Sequence, residues 1–372
     1  MIDRPRRGVL VASGMLFLAG PVLPLALGAV ERLLGRGTGS HPAPDPLPED
    51  PFVEVIIPAY LEQSTVGDTV ERLTTDLEKS SVRHLVHVVA SDEATAVAAA
   101  VAGKVTLTGR GGKPAAVNAA VEQSTADVVV LTDANCRIQP PDWPVRMLRE
   151  LQETSLLSAN KTENGSDDVL FWLLESWLKR EASERGGTLA VVGEFLALRR
   201  RDYRAVPPAT TSDDLWLAID FDARGLRVSV SPAIVTCEDP VPRREQWERR
   251  VRIAYGQLSE ALPRLPALSR TPAGRDYLAH KMYRLTVGAA AFWVGVGAVV
   301  SARPRVLGPL VGVPVAAAVA QYRGLLSVTT PLDPVAAVVA LQAIPVAAAS
   351  RILRRRLRRN QPTAVGWRKV PR

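Results

Sequence analysis

The sequence predicts an α/β fold, a mostly parallel sheet covered by helices, set between apolar segments able to span a membrane. Three observations predict it. Between residues 52 and 131, short apolar runs rich in β-formers alternate with stretches of helical periodicity, the pattern of a parallel sheet with crossover helices. Gly8 to Val30 is apolar and uncharged over a bilayer-spanning length, and Leu285–Ser301, Val306–Ala320 and Leu332–Ser350 cluster near the other end. The Pro-rich stretch His41-Pro-Ala-Pro-Asp-Pro-Leu-Pro-Glu-Asp-Pro51 reads as an extended linker between the first apolar segment and the globular region.

Taken in order, Gly8–Val30 follows Arg4, Arg6 and Arg7, so it is an anchor or a signal peptide with Ala26-Leu27-Gly28 as its cleavage site. The later apolar segments favour the uncleaved anchor. A buried core helix is the alternative for the shorter of them. After the linker, Val53–Ile57 is a strand ended by Pro58, and Val66–Lys79 has helical periodicity. Leu85–Ala90 is a second strand, Ala94–Val101 a helix, Val105–Leu107 a short strand, Lys113–Gln123 a helix and Val128–Leu131 a strand. The net charge is +8, with arginines crowded at Arg4–Arg7, Arg199–Arg201, Arg243–Arg252 and Arg351–Arg359. Because the first and last clusters flank apolar segments, lipid is the expected partner rather than nucleic acid. Cys136 and Cys237 have neither metal-ligand spacing nor a disulfide framework and fit a reduced compartment.

Ligands of such sheets bind at the carboxyl ends of the strands. Those ends carry Pro58-Ala59-Tyr60-Leu61-Glu62, Ser91-Asp92-Glu93, Gly109-Arg110-Gly111-Gly112-Lys113 with Asn118 on the following helix, and Asp133-Ala134-Asn135. An aromatic ring for a base, carboxylates, a Gly-rich loop with a lysine, and two oxygen side chains at i and i+2 are the equipment for a nucleoside diphosphate with Mg²⁺ or Mn²⁺. Taken alone, Asp133-Ala134-Asn135 reads as an Asx-turn before it reads as a metal site. The Gly-rich loop lacks the spacing of a P-loop.

Val53-Glu-Val-Ile-Ile-Pro-Ala-Tyr-Leu-Glu62 resembles the opening strand of family 2 glycosyltransferases of the GT-A (Rossmann-like) fold. The likeness continues in order through Gly112-Lys113 with Asn118, Thr132-Asp-Ala-Asn135, Val192-Gly-Glu-Phe-Leu-Ala-Leu-Arg199, Ser212-Asp213-Asp214 and Arg249-Arg-Val-Arg-Ile-Ala-Tyr-Gly256. It implies transfer of a sugar from a nucleotide diphosphate sugar. Pro58, Ala59, Tyr60, Glu62, Asp92, Lys113, Asn118 and Asp133 match donor-nucleotide positions, and Asp133 and Asn135 match the metal motif. Asp214, beside Asp213, matches the general base. The plain reading of those two acids is the first turn of a helix over Leu215–Ala223. Arg249 and Arg252 match the interfacial helix, where Arg252 would reach the diphosphate; a basic helix lying on lipid is the alternative. Gly193 and Glu194 stand where an acceptor would approach. Trp172 and Trp177, on a helix over Val169–Ser183, would line its groove; a packed amphipathic helix accounts for them equally.

Three departures qualify the likeness. Asn135 stands where many relatives have Asp, and Leu61 where Asn is usual. Asp92-Glu-Ala-Thr-Ala96 lacks the usual Gly-Ser and second Asp, so uridine is the expected base by family alone. Arg249 and Ile253 stand where processive synthases of the cellulose and hyaluronan type have Gln and Trp, which favours transfer of one sugar to a lipid-linked or saccharide acceptor. A processive synthase and a non-catalytic membrane subunit that binds nucleotide are the alternatives. The expected organisation is an N-terminal anchor (1–35), linker (36–51), GT-A domain (52–240), amphipathic interfacial helices (241–282), C-terminal transmembrane segments (283–350) and a basic cytosolic tail (351–372). A multi-pass protein of the plasma membrane with a cytosolic catalytic domain follows. To keep the basic tail inside, Val306–Ala320, broken by Pro309 and Pro314, is expected to enter the membrane without crossing it.

Overall fold

In the computed structural model, residues 4–34, 41–163, 169–238, 243–323, 325 and 333–357 are described. They form two units. The larger holds residues 37–239 and 271–274, and the smaller residues 1–36, 240–270 and 275–362. In chain order, helix α1 (Arg4–Leu33) is followed by β1 (Val53–Ala59), α2 (Val66–Lys79), β2 (His84–Ala90), α3 (Glu93–Ala98), β3 (Lys104–Leu107), α4 (Lys113–Gln123) and β4 (Val128–Thr132). Then come β5 (Arg137–Gln139), α5 (Trp143–Glu150), β6 (Leu156–Glu163), α6 (Val169–Glu184), β7 (Phe195–Arg199), α7 (Asp213–Ala223) and β8 (Val228–Glu238). The longer helices that follow are α8 (Arg243–Ala261), α9 (Pro272–Ala302), α10 (Pro304–Tyr322) and α11 (Asp333–Leu357).

The larger unit is built on one eight-stranded sheet of order β3-β2-β1-β4-β7-β6-β8-β5. Strands β3, β2, β1 and β4 are parallel, with Val53 opposite both His84 and Val128. β7 runs antiparallel between β4 and β6, while β6 and β8 pair in parallel. β1 and β4 are buried almost throughout, which is why they read as continuous apolar runs rather than alternating ones. Val53, Val55 and Ile57 share a core with the α2 stripe Val66, Val70, Leu73 and Leu77 and with Trp143 and Met147 of α5. Strand alternation turns Ile56 to the opposite face. α4 packs on β1 and β2, burying Ala116, Val117, Ala120 and Val121. Trp143 is fully buried, meets Phe195 edge-on at 5.6 Å and donates its indole N–H to Asp76 at 3.2 Å. It ties α5 to both β7 and α2.

A buried pair of polar side chains joins three neighbouring strands of the sheet. His87 on β2 bridges Glu54 on β1 and Thr106 on β3, each at 2.8 Å. Burial pushes the Glu54 carboxyl up, but hydrogen bonds from His87 and Ser124 and the charges of His87 and Lys104 outweigh it and hold the carboxyl below its ordinary value. A carboxyl depressed in the folded state contributes stability that is present above its unfolded pKa and is lost as pH falls through the folded one. Thermal melts of the purified protein on the acid side should therefore fall more steeply for the wild type than for Glu54→Gln. Parallel pH dependences would remove Glu54 as a source of acid sensitivity.

The described part of the linker, residues 41–51, forms neither helix nor strand and is fastened along the larger unit. The buried Arg199 guanidinium donates to the carbonyls of Leu151 (2.7 Å), Thr154 (3.0 Å) and Asp45 (3.0 Å). His41 places its ring nitrogens 2.7 Å and 3.0 Å from the carbonyls of Gly186 and Gly225.

In the smaller unit, α1 packs on α9. A side chain at Gly295 would come within 3.0 Å of the Ser13 hydroxyl, so the small residues let these helices approach closely. Tyr283 donates to the Leu16 carbonyl at 2.6 Å, and Arg275 grips the buried Glu31 at 2.8–2.9 Å. Helices α8, α10 and α11 pack on one another. Among the described residues, three helices are long and apolar enough to cross a membrane: Arg7–Leu33, Pro272–Ala302 and Pro304–Tyr322. The stretch 306–320, expected to be broken by its prolines, is one continuous helix through Pro309 and Pro314. The first part of the basic tail, to Leu357, belongs to α11. Arg358, Arg359 and the rest of the tail, and linker residues 36–40, lie outside the described residues.

Candidate active site

Lys113 is the centre on which the strand ends converge. Gly112 has φ +86°, a conformation that a side chain resists, and it turns the Gly-rich loop into α4 so that Lys113 opens the helix. The Lys113 ammonium donates to Asp133 Oδ1 at 2.8 Å and to the Gly193 carbonyl at 3.1 Å, and lies 3.8 Å from Asp213 Oδ2. One cation thus joins the end of β4, the segment leading into β7 and the first turn of α7. Burial pushes the Lys113 pKa down, but Asp133, Asp213 and Asp214 outweigh it and hold it well above the ordinary lysine value. Lys113 is therefore charged throughout the physiological range.

Asp213 and Asp214 form the first turn of α7, which begins two residues earlier than the periodicity suggests. Asp214 Oδ1 accepts from the Ser212 hydroxyl at 2.7 Å and from the Leu215 N–H at 2.8 Å. Both bonds go to one oxygen. A Cβ added at Gly193 would lie 3.6 Å from the second oxygen, Oδ2. Glycine keeps the approach open. Burial, and then the charge of Asp213, raise the Asp214 carboxyl above its ordinary value against the hydrogen bonds and Lys113. A raised carboxyl is a better proton acceptor than a free one, provided the pH is high enough to leave it ionised.

Next to this cluster lies a buried network. Lys161, only 5% exposed in the interior of β6, donates to the Glu194 carboxylate and to Glu238 Oε2 at 3.0 Å. Thr236 donates to Glu194 Oε2 at 3.3 Å, and Thr132 to the Glu194 carbonyl at 2.8 Å. Glu194 thus turns its carboxylate into the protein, while the neighbouring Gly193 carbonyl receives Lys113. Burial first, then Glu194, Asp133 and Glu238, push the Cys136 thiol far up, so it stays protonated. Neither Lys161 nor Glu238 was singled out from the sequence. The available signal was a lysine inside Leu156–Glu163, a polar side chain at a position where a sheet interior requires a partner.

The loops after β1 and β2 are locked together. Asp92 caps α3, accepting from Thr95 N–H (2.9 Å) and hydroxyl (2.8 Å), and also accepts from Leu61 N–H at 2.8 Å. Glu62 is buried, donates its N–H to Thr95 at 3.0 Å and accepts from Thr65 at 3.2 Å. The Arg110 guanidinium lies over the Tyr60 ring, 4.7 Å from its centre, so the Gly-rich loop reaches the end of β1. Pro58 and Ala59 complete β1 beside Val89 and Ala90. Leu61 has φ +54°, a region that costs a branched side chain about 1–2 kcal/mol and that Asn tolerates. Leu61→Asn should therefore be more stable than Leu61→Ala by roughly 1 kcal/mol in thermal melts; equal melting would show no strain at this turn.

Asn118 faces the chain itself. Its carbonyl accepts from Tyr203 (2.6 Å) and Val206 N–H (2.9 Å), and its amide donates to the Val206 carbonyl (2.8 Å). It fixes the segment that leads to Ser212-Asp213-Asp214. Asn135 makes no hydrogen bond among the described residues and, with Asp133, presents one neutral and one charged oxygen. No group of three His, Cys, Asp or Glu side chains gathers among those residues. The donor set suits Mg²⁺ or Mn²⁺ whose remaining ligands come from a diphosphate and water. Trp177 is 40% exposed on α6, beside exposed Leu173 and Leu174; the side chain of Trp172 lies outside the described residues. Arg249 and Arg252 are on α8 in the smaller unit.

Residues 54–205 match Glycosyl transferase family 2. Over 96% of this chain and 100% of the other, the fold is similar to that of a mannosyltransferase from Pyrobaculum calidifontis solved with GDP-Man and Mn²⁺, at TM-score 0.65 and 20% identity. Glucosyl-3-phosphoglycerate synthase from Mycobacterium tuberculosis, solved with Mn²⁺, UDP-Glc and phosphoglyceric acid, aligns over 56% of this chain and 79% of its own at TM-score 0.40 and 20% identity. No curated protein sequence matches.

Proposed function

We propose that this chain, whose residues 54–205 match Glycosyl transferase family 2, is a membrane-bound, inverting glycosyltransferase that moves one sugar from a nucleoside diphosphate sugar to a lipid-linked or saccharide acceptor. The observation that carries this reading is the Lys113 bridge. Its ammonium lies 2.8 Å from Asp133, the residue suited to a metal-diphosphate, and 3.8 Å from Asp213 of the acid pair Asp213-Asp214.

The roles follow from the chemistry. Asp214 Oδ2 takes the proton of the acceptor hydroxyl as the hydroxyl oxygen attacks the anomeric carbon. The bond from that carbon to the diphosphate breaks, and the electron pair leaves with the diphosphate. Lys113 supplies a fixed positive charge beside the leaving group, where charge develops. A divalent cation on Asp133 and Asn135 would add Lewis-acid stabilisation of the same oxygens. Asp213 keeps the Asp214 proton affinity high and helps hold Lys113. Tyr60 with Arg110 would pack on the base, and Asp92 and Glu62 would act by shaping the loop beneath it. Gly193 leaves room for the acceptor beside Asp214, and the exposed Trp177 of α6 offers it an apolar platform.

Membrane attachment is supported by the three candidate spans, and a cytosolic catalytic domain by the need for a cytosolic donor. Transfer of a single sugar is supported by Ile253, exposed on α8 where processive relatives carry a stacking Trp. Arg249 of the same helix is assigned to lipid. A calorimetric screen of UDP-, GDP- and other nucleotide sugars, with and without Mn²⁺, tests the donor assignment. One donor should bind, more tightly with the cation; absence of binding to every donor would contradict it.

A further inference from the structure

A cavity of about 630 Å³ opens in the smaller unit between α8, the turn after it, and the last turns of α11. Its lining has two chemistries. Leu258, Leu262 and Ile352 make an apolar wall, and Arg355 and Arg356 supply two guanidinium groups. Arg355 is held in place by its hydrogen bond to the Tyr255 hydroxyl at 2.7 Å. Arg356 has no ion-pair partner among the described residues. The acids of α8 nearest in sequence do not neutralise the pair, because Glu248 binds Arg351 at 2.8 Å and Glu260 binds Arg264 at 2.9 Å. The cavity also has a telling position. Pro334 to Ser350 is uncharged, and the arginines begin at Arg351, so the cavity lies where α11 passes from apolar to basic. Basic pockets at that border match lipids with anionic head groups.

We propose that this cavity binds one anionic glycerophospholipid, its phosphate on Arg355 and Arg356 and an acyl chain along Leu258, Leu262 and Ile352. The lipid is a bound component of the membrane unit and not the sugar acceptor. The inference rests on the proposed membrane placement of this unit. It is read apart from that placement by working in detergent, where binding does not depend on insertion.

The test is native mass spectrometry of the full chain purified in detergent and titrated with phosphatidylglycerol, phosphatidylcholine of the same acyl chains, and inorganic phosphate. Phosphatidylglycerol should bind at one equivalent and clearly more tightly than phosphatidylcholine. Loss of one basic contact in Arg356→Ala should weaken it about fivefold, while Arg354→Ala, outside the cavity lining, should leave it unchanged. Leu262→Trp, which fills the apolar side, should weaken lipid without weakening inorganic phosphate. Donor binding should persist in all three variants, showing that they remain folded. Equal affinity for the two lipids, or insensitivity to both Arg356→Ala and Leu262→Trp, would overturn the site. Inorganic phosphate binding as tightly as phosphatidylglycerol would overturn the lipid and leave a plain phosphate site.

Discussion

Asp214→Asn is expected to lower sugar transfer by about 10²–10⁴-fold while leaving donor affinity within a few-fold of the wild type. The substitution keeps the size of the side chain and its Oδ1, which accepts from Ser212 and Leu215. What it removes is the basic oxygen beside Gly193. The fold and the Lys113–Asp133 contact, on which donor binding depends, do not use that oxygen. The pH dependence supplies a second readout. Because the Asp214 carboxyl is raised by burial and by Asp213, wild-type transfer should rise with pH as this group ionises, and the rising limb should vanish from whatever activity remains in the variant. Single-turnover transfer and calorimetric donor binding together check this. Unchanged turnover would remove Asp214 from the role of base, and loss of donor binding would mark it as part of the donor site instead.

Lys161→Met should destabilise the larger unit by about 3–5 kcal/mol, a fall in melting temperature on the order of 10 °C. Lys161 is bonded to both Glu194 and Glu238, and all three are buried. Methionine fills much of the same space but removes the ammonium that Glu194 and Glu238 share. One or both must take up a proton, and the protein becomes less stable as pH rises. The cost is electrostatic, so Glu238→Gln in the Lys161→Met background should recover part of it. A melting temperature within 1 or 2 °C of the wild type, or a double variant no better than the single one, would show that the network contributes little. Catalysis should suffer as well, because the Glu194 backbone is continuous with the Gly193 carbonyl that receives Lys113.

The first half of the sheet was legible in the sequence because its signals are local. Val53–Ile57 and Val128–Leu131 are apolar runs that lie in β1 and β4, though β1 continues through Pro58 to Ala59 and β4 to Thr132, and Val66–Lys79 and Lys113–Gln123 match α2 and α4 at both ends. Lys113, Asp133 and Asp213-Asp214 were legible for the same reason, each sitting at a boundary between elements. The strands β6 and β8 were not. Leu156–Glu163 contains Ser158, Asn160 and Lys161, which look like a polar surface until their partners are known. Those partners, Ser231, Glu194 and Glu238, are distant in the chain. Periodicity carries no information about such pairings. Asp92 and Asn118 show the converse. Their places were readable, but only the folded chain reveals that Asp92 holds Leu61 and Asn118 holds Val206.

The central claim is a single displacement at the anomeric carbon with Asp214 as base, and its product carries the answer. Purified enzyme with Mn²⁺ and the donor it binds should be followed by proton NMR from the first minutes, before mutarotation, with the configuration of the transferred or released sugar read from its anomeric signal. The account predicts a product of inverted configuration, formed by the wild type and not by Asp214→Asn. A product that retains the donor's configuration would contradict it.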